Sequence, residues 1–373
     1  MRLEQLEDRW NPATVTNLDA TGAGSLKQAL LDANATAGQA DLAIDFQAGL
    51  NGVINLDGTL SITRPNITIS GLGADKITLA RPSANGTAFF RIFDIASTAT
   101  GTMIEMLKLS NGKVDAGEDG GGIRIQSQPG ATPSVTLTKL IIDRCNAGRN
   151  GGGVACSGKL TMADTSVTNN NALGSGGGLY LRSPITTLLR CEYITNTAQT
   201  NGGGIDAAGG ANGYVLESTL VISGGKLFDN QASNDGGGIH IYQGTYPVTV
   251  EINTQCHIDE NRSEREGGGV WSNAATTIKD SFVEKNSGWT TGFGIFNAAT
   301  GTTKMVLLNA SVRFNKYVPQ PGGPAVGETA AIWTDGTVRQ GANLEVGQST
   351  ITGNNGHGIL GNFTDNGGNT IQV

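Results

Sequence analysis

Apolar residues along this chain recur singly between short polar corners, not in helical stripes. Ile142, Val167, Tyr193, Leu227, Ile258, Val283, Val312 and Ile351 each stand three residues ahead of a fixed polar position. That position is Cys145 in the first case and Asn170, Asn196, Asn230, Asn261, Asn286, Asn315 and Asn354 in the rest. Gly-Gly-Gly followed by Ile, Val or Leu begins at 120, 151, 176, 202, 236 and 267, with looser copies at 292 and 356. From Cys145 to Asn286 the offset to the next glycine run is six residues, and the full triplets lie 25 to 34 residues apart. A period of that length is a solenoid signal, matching one coil of a three-sided β-helix with loops of variable size. Each apolar residue stacks inside the tube, each asparagine takes a left-handed corner, and each aliphatic residue after the glycines opens a strand.

The first hundred residues lack this repeat and read as a cap with early coils. Ser25-Leu26-Lys27-Gln28 has capping-box spacing, and Leu26, Ala29, Leu30 and Ala33 share one helical face, which predicts a short helix over about 25–35. Strands are expected at Val53–Leu56, Ile67–Ile69 and Ile77–Leu79. The fold class is therefore all-β, a right-handed single-stranded parallel β-helix closed by a short N-terminal helix. Residues 14–373 form one domain, with 14–40 as the cap and clear repeats over about 120–360; residues 1–13 stand apart as a leader. The tail from Asn362 to Val373 either covers the last coil or leaves an edge for a protein partner.

Composition agrees with stacked layers. Glycine supplies 56 of 373 residues and aromatics only 5%, and the glycines follow no collagen period. A net charge of −7 excludes a nucleic-acid partner, which needs a basic footprint. No apolar run is long enough for a membrane span. Cys145, Cys156, Cys191 and Cys256 have no zinc spacing and read as small buried apolar residues, a disulfide between coils being the alternative.

Two resemblances stand on these motifs, one over about a dozen N-terminal residues and one over roughly residues 14–360. Arg2-Leu3-Glu4-Gln5-Leu6-Glu7-Asp8-Arg9 with Pro12-Ala13 resembles the leaders that open many large planctomycete surface and secreted proteins. Leu227-Phe228-Asp229-Asn230, Ile258-Asp259-Glu260-Asn261 and the glycine triplets resemble the Phe-x-x-Asn and Gly-Gly-Ala-aliphatic repeats of the chlamydial polymorphic outer membrane proteins, with the aromatic relaxed to any apolar residue. These resemblances imply a pectate-lyase-like superfamily fold and a secreted or cell-surface location. They imply no particular activity, because that superfamily includes lyases, hydrolases, tail spikes and adhesins.

Strand alternation then names the outer face. One outward column runs Arg124, Ala155, Tyr180, Asp206, His240, Trp271, Phe296; a second runs Gln126, Ser157, Arg182, Ala208, Tyr242, Asn273, Ala298. In a chain this poor in aromatics, Tyr180, Arg182, Asp206, His240, Tyr242, Trp271, Asn273 and Phe296 form the candidate ligand-binding set, suited to sugar rings on polysaccharides or surface glycans. From Tyr180 to Phe296 the column spans four coil steps, roughly 19 Å, enough for about four sugar units. Asp206 has no acidic partner in either column, so the two-carboxylate chemistry of glycosidases is not visible. No catalytic residues are assigned. No cofactor or metal is expected; Asp115, Glu118 and Asp119 form the one acidic loop with oxygens suited to calcium. The expected function is a non-catalytic, adhesin-like binding or structural protein, with a polysaccharide lyase or hydrolase as the alternative. A compact carboxylate or Arg/Lys/His cluster with calcium in the groove would favour the enzyme, and a smooth aromatic-polar stripe without such a cluster the binder.

Overall fold

The computed structural model describes residues 13–36, 41–209, 217–300, 303–320, 330–334 and 343–372; residues 1–12, which hold most of the leader stretch, lie outside them. The chain winds as a right-handed parallel β-helix in which every strand pairs in parallel with its counterpart one coil along. Among the described residues the strands form sheets of 13, 12, 11 and 8 members. The fourth sheet departs from the three-sided expectation. The residues after each asparagine corner, such as Asn171–Ala172 and Thr197–Ala198, pair in parallel and give the coils from Lys113 to Tyr317 a short fourth side.

Ser25 caps the helix Leu26–Ala35, its Oγ accepting from the Gln28 amide at 3.2 Å. The helix turns Leu26, Ala29, Leu30 and Ala33 inward over the open end of the first coils, burying an apolar cross-section and strand edges that would otherwise invite association. The three expected strands appear as Gly52–Asn55, Ile67–Ser70 and Ile77–Ala80. At the other end, Thr364–Asp365 and Thr370–Ile371 extend two of the sheets, so the tail continues the winding over the last full coil.

Inside the tube, Ile142, Val167, Tyr193, Leu227, Ile258, Val283, Val312 and Ile351 are fully buried and lie in register coil upon coil. The asparagines form a continuous buried ladder. Asn230 is typical: its Oδ1 accepts from the Asn196 amide and from Asn196 Nδ2, both at 3.0 Å. Its Nδ2 donates back to the Tyr193 carbonyl at 2.8 Å and forward to Asn261 Oδ1 at 2.9 Å. The left-handed corner falls one residue earlier than expected, at Asn169, Thr195, Asp229, Glu260, Lys285 and Phe314. The recurring amide position is therefore set by side-chain hydrogen bonding and not by tolerance of positive φ.

The triplet glycines divide two tasks. The first of each, such as Gly202 at φ 63° or Gly236 at φ 66°, takes the left-handed conformation. The second and third permit close approach of coils: a Cβ on Gly177 would sit 2.4 Å from the Gly203 carbonyl oxygen. All four cysteines are free and buried; burial pushes the thiols of Cys145, Cys156 and Cys256 up to about 12 and that of Cys191 to about 11. Among the described residues, no helix is long and apolar enough to cross a membrane.

Candidate active site

The strand after each glycine triplet stacks on its neighbours in the register the alternation implies. Tyr180 pairs with Asp206, Asp206 with His240, His240 with Trp271, and Trp271 with Phe296. Arg182, Tyr242 and Asn273 stand two residues further along the same strands. What these side chains do to one another differs from an open aromatic stripe.

Asp206 is 2% exposed and is gripped from two sides. Its Oδ1 accepts from Arg182 Nη1 at 2.9 Å, and its Oδ2 lies 2.8 Å from His240 Nδ1. Burial alone would raise its carboxyl pKa, but the charges and hydrogen bonds of Arg182 and His240 outweigh it and hold the group below the usual carboxylate range. An ionised carboxylate only accepts, so Nδ1 of His240 carries the proton and Nε2 is the ring's remaining functional nitrogen. Arg182 in turn lies over the Tyr180 ring, 3.9 Å from its centroid.

The aromatic rows fill themselves. His240 stacks on Trp271 at 4.6 Å between ring centroids, and Trp271 stacks on Phe296 at 6.3 Å. Trp271 therefore presents an edge outward, not a free face, and its Nε1 donates to Glu266 Oε2 at 3.1 Å. Phe296 is 5% exposed, so it supports Trp271 from below and offers no platform of its own. The expectation of a four-step axial groove ending on Phe296 is corrected accordingly. Asn273 spends its amide on the loop beside it, Oδ1 accepting from the Gln243 amide at 2.5 Å and Nδ2 donating to the Gln243 carbonyl at 3.4 Å. Tyr242 remains well exposed.

A third row, absent from the sequence reading, completes the site. It consists of the residue immediately before each glycine triplet: Asp119, Asn150, Ser175, Asn201, Asp235 and Glu266. Each of the first five accepts from the amide of the next, from Asn150 on Asp119 at 3.0 Å to Glu266 on Asp235 at 3.2 Å. The row ends in two acids, Asp235 and Glu266, the first of which shares a groove with Asp206. Asp235 and Asp206 line the same groove of about 450 Å³, together with Arg182, His240, Trp271 and Ser175. The lone-carboxylate expectation for Asp206 is thus corrected. The signal was available in the sequence, because an acid or small polar residue precedes every full triplet.

The Asp115–Asp119 loop is tied by ion pairs. Glu118 meets Arg91 at 2.7 Å and Arg124 at 3.2 Å, and Asp119 meets Arg149. Among the described residues, no three His, Cys, Asp or Glu side chains converge as metal ligands.

No family model matches the chain, and no curated protein matches it; the likeness to polymorphic outer membrane repeats is one of coil pattern. Among solved structures, the chain is similar to the catalytic domain of a GH87 α-1,3-glucanase in complex with nigerose. That match has 15% identity and a TM-score of 0.44, and it covers 95% of this chain and 69% of that one. It is also similar to an aspartate-to-alanine variant of such a domain in complex with tetrasaccharides, at 16% identity, TM-score 0.45 and the same coverage. The smooth stripe expected of a non-catalytic, adhesin-like protein is corrected here: Arg182, Asp206 and His240 form a compact cluster with Asp235 on the wall of the same groove.

Proposed function

We propose that this protein is a glycoside hydrolase acting on a neutral polysaccharide. The observation that carries the proposal is that two carboxylates, Asp206 and Asp235, line one groove beside His240. Glycosidic cleavage needs a group that protonates the leaving oxygen and a negative charge facing the anomeric carbon as it turns oxocarbenium-like. Asp206, locked in its ionised form, supplies fixed charge and holds the imidazole. Asp235 and His240 Nε2 are the groups positioned for proton transfer.

Charge favours hydrolysis over elimination. A lyase acting on polyuronates must neutralise a sugar carboxylate, usually with free Arg or Lys or a calcium ion. In this groove Arg182 is already paired with Asp206, and Arg265 is spent on Asp235 at 3.6 Å. With both guanidiniums paired, they offer a sugar carboxylate no uncompensated positive charge. Cleavage of a polymer also places the protein outside the cell or on its surface, as the leader resemblance implies; fractionation of the native host checks this.

The test is a panel of neutral and acidic polysaccharides, with an α-1,3-glucan included, scored by new reducing ends and by ultraviolet absorbance of unsaturated products. Reducing ends from a neutral polymer, abolished in Asp235→Asn while circular dichroism is unchanged, are expected. Unsaturated products from a polyuronate, or no cleavage across the panel, would overturn the proposal.

A further inference from the structure

We infer that the substrate chain crosses the solenoid along the strand direction, entering a second sugar subsite built by Arg182, Tyr242, Tyr246 and Gly209. The inference deepens the hydrolase reading and rests on it for the identity of the ligand.

Three observations carry it. First, a second groove of about 480 Å³ adjoins the first and shares Arg182 and Tyr242 with it. Each groove falls in the range of roughly 300–1,000 Å³ typical of small-ligand sites. The two lie one after the other along the strands Ile205–Ala208 and Ile239–Tyr242, not along the helix axis.

Second, the axial row offers sugars no free ring face between Trp271 and its neighbours. Both neighbours of Trp271 in its row, His240 and Phe296, stack on it, so no sugar can lie flat on that row. Tyr242 lies parallel to His240 at 6.4 Å between ring centroids yet stays 48% exposed, and Tyr246 is partly exposed in the same groove. Apolar sugar faces pack on such rings while hydroxyls reach the rim.

Third, the second groove is held in shape. Asn273 clamps both backbone groups of Gln243. The Gly209 amide donates to the Tyr242 carbonyl at 3.2 Å. A Cβ on Gly209 would come within 2.6 Å of the Tyr246 carbonyl oxygen, so glycine is what lets the loop seat there. Arg182 links the grooves: one nitrogen holds Asp206 and the Leu181 carbonyl, while the planar fork carries further donors for hydroxyls at the junction.

The experiment uses a ladder of oligosaccharides from whichever neutral polysaccharide the parent enzyme retains or cleaves. kcat/KM of the parent should rise about tenfold with the sugar that fills the second groove, the scale of one ring-on-ring contact. In Tyr246→Ala and Tyr242→Ala that step should shrink to about twofold, through KM and not kcat. An undiminished step in both variants overturns the inference even though cleavage stands. Calorimetric binding of the same ladder to Asp235→Asn gives an independent arm. If the parent cleaves nothing, but affinity still rises with length and falls in Tyr246→Ala, the subsite stands and the hydrolase reading fails.

Discussion

Asp206 Oδ2 and His240 Nδ1 lie 2.8 Å apart across one coil step, on paired positions of adjacent strands. The pairing fixes which imidazole nitrogen faces the substrate, and it depends on Asp206 being an obligate acceptor. Asp206→Asn presents an amide that can donate to Nδ1 and reverse the tautomer. It should lower kcat by about 10²–10⁴-fold, the range seen when an orienting carboxylate of an acid–base pair is neutralised. Reducing-end kinetics on the active polysaccharide read the effect, and a variant within twofold of the parent would remove His240 from the mechanism.

Acid should loosen the site before the rest of the tube. Asp206 has its folded pKa below its unfolded value, so its contribution to stability is complete above the unfolded value near 4 and is lost as pH falls through the folded one. Asp94 and Asp143 are shifted the same way, burial being outweighed by Arg124 and Gln126 for the first and by Asn169 and Lys108 for the second. Thermal midpoints measured from pH 6 to pH 3 should fall mainly below pH 4. Asp206→Asn should flatten that slope, and an identical slope in the variant would contradict the linkage.

The opposite sign is expected at Asp259. Burial and the facing Glu284 raise the Asp259 carboxyl, against the pull of His257, and its Oδ1 is buried with no hydrogen-bond partner among the described residues. A raised folded pKa means that the charged form costs stability at neutral pH, a cost removed as pH falls through that pKa. Asp259→Asn should therefore stabilise the protein at pH 7, by a few tenths of a kcal/mol to about 1 kcal/mol, typical of like charges relieved on facing strand positions. Chemical denaturation at pH 7 measures it, and a loss of stability would show that the His257 contact at 3.3 Å dominates.

The asparagine ladder predicts where damage stays local. Asn230→Ala strips partners from the Asn196 amide and the Tyr193 carbonyl, both in the buried corner. Leaving such groups unpaired should cost about 2–4 kcal/mol. Coils contact only their neighbours, so hydrogen exchange should quicken first around residues 193–261 and later elsewhere. Uniform acceleration along the chain would show that the solenoid unfolds as one unit.

Repetition decided what was legible beforehand. The glycine triplets, the apolar ladder and the amide at Asn170 through Asn354 were readable because every coil imposes the same steric demand at the same place. The Ser25 cap was readable because capping chemistry is local. The fourth side was not, since two-residue pairings such as Asn171–Ala172 leave no alternation to detect. At the site, strand alternation placed Asp206, His240 and Trp271 on one row but said nothing of how their side chains turn. Whether Trp271 shows a face or an edge depends on the rings one coil away on either side. Asp235 was missed because it sits before the triplet, off both strand columns, although the polar residue at that offset in every full repeat was the available clue.

Trp271 gives the sharpest separation between an open aromatic platform and the site as built. A face-on platform would make Trp271→Ala a pure binding defect, raising KM and sparing kcat. In the structure the ring walls His240 at 4.6 Å and holds Glu266 through Nε1 at 3.1 Å. Its loss frees the imidazole to rotate away from Asp206 and removes one donor from the Glu266 carboxylate. Trp271→Ala should therefore lower kcat about 10–100-fold, with the smaller change in KM. Trp271→Phe keeps the wall but not the donor, and should recover most of kcat. If Trp271→Ala changes KM alone, the ring is a substrate platform after all, and the stacked row must open when sugar binds.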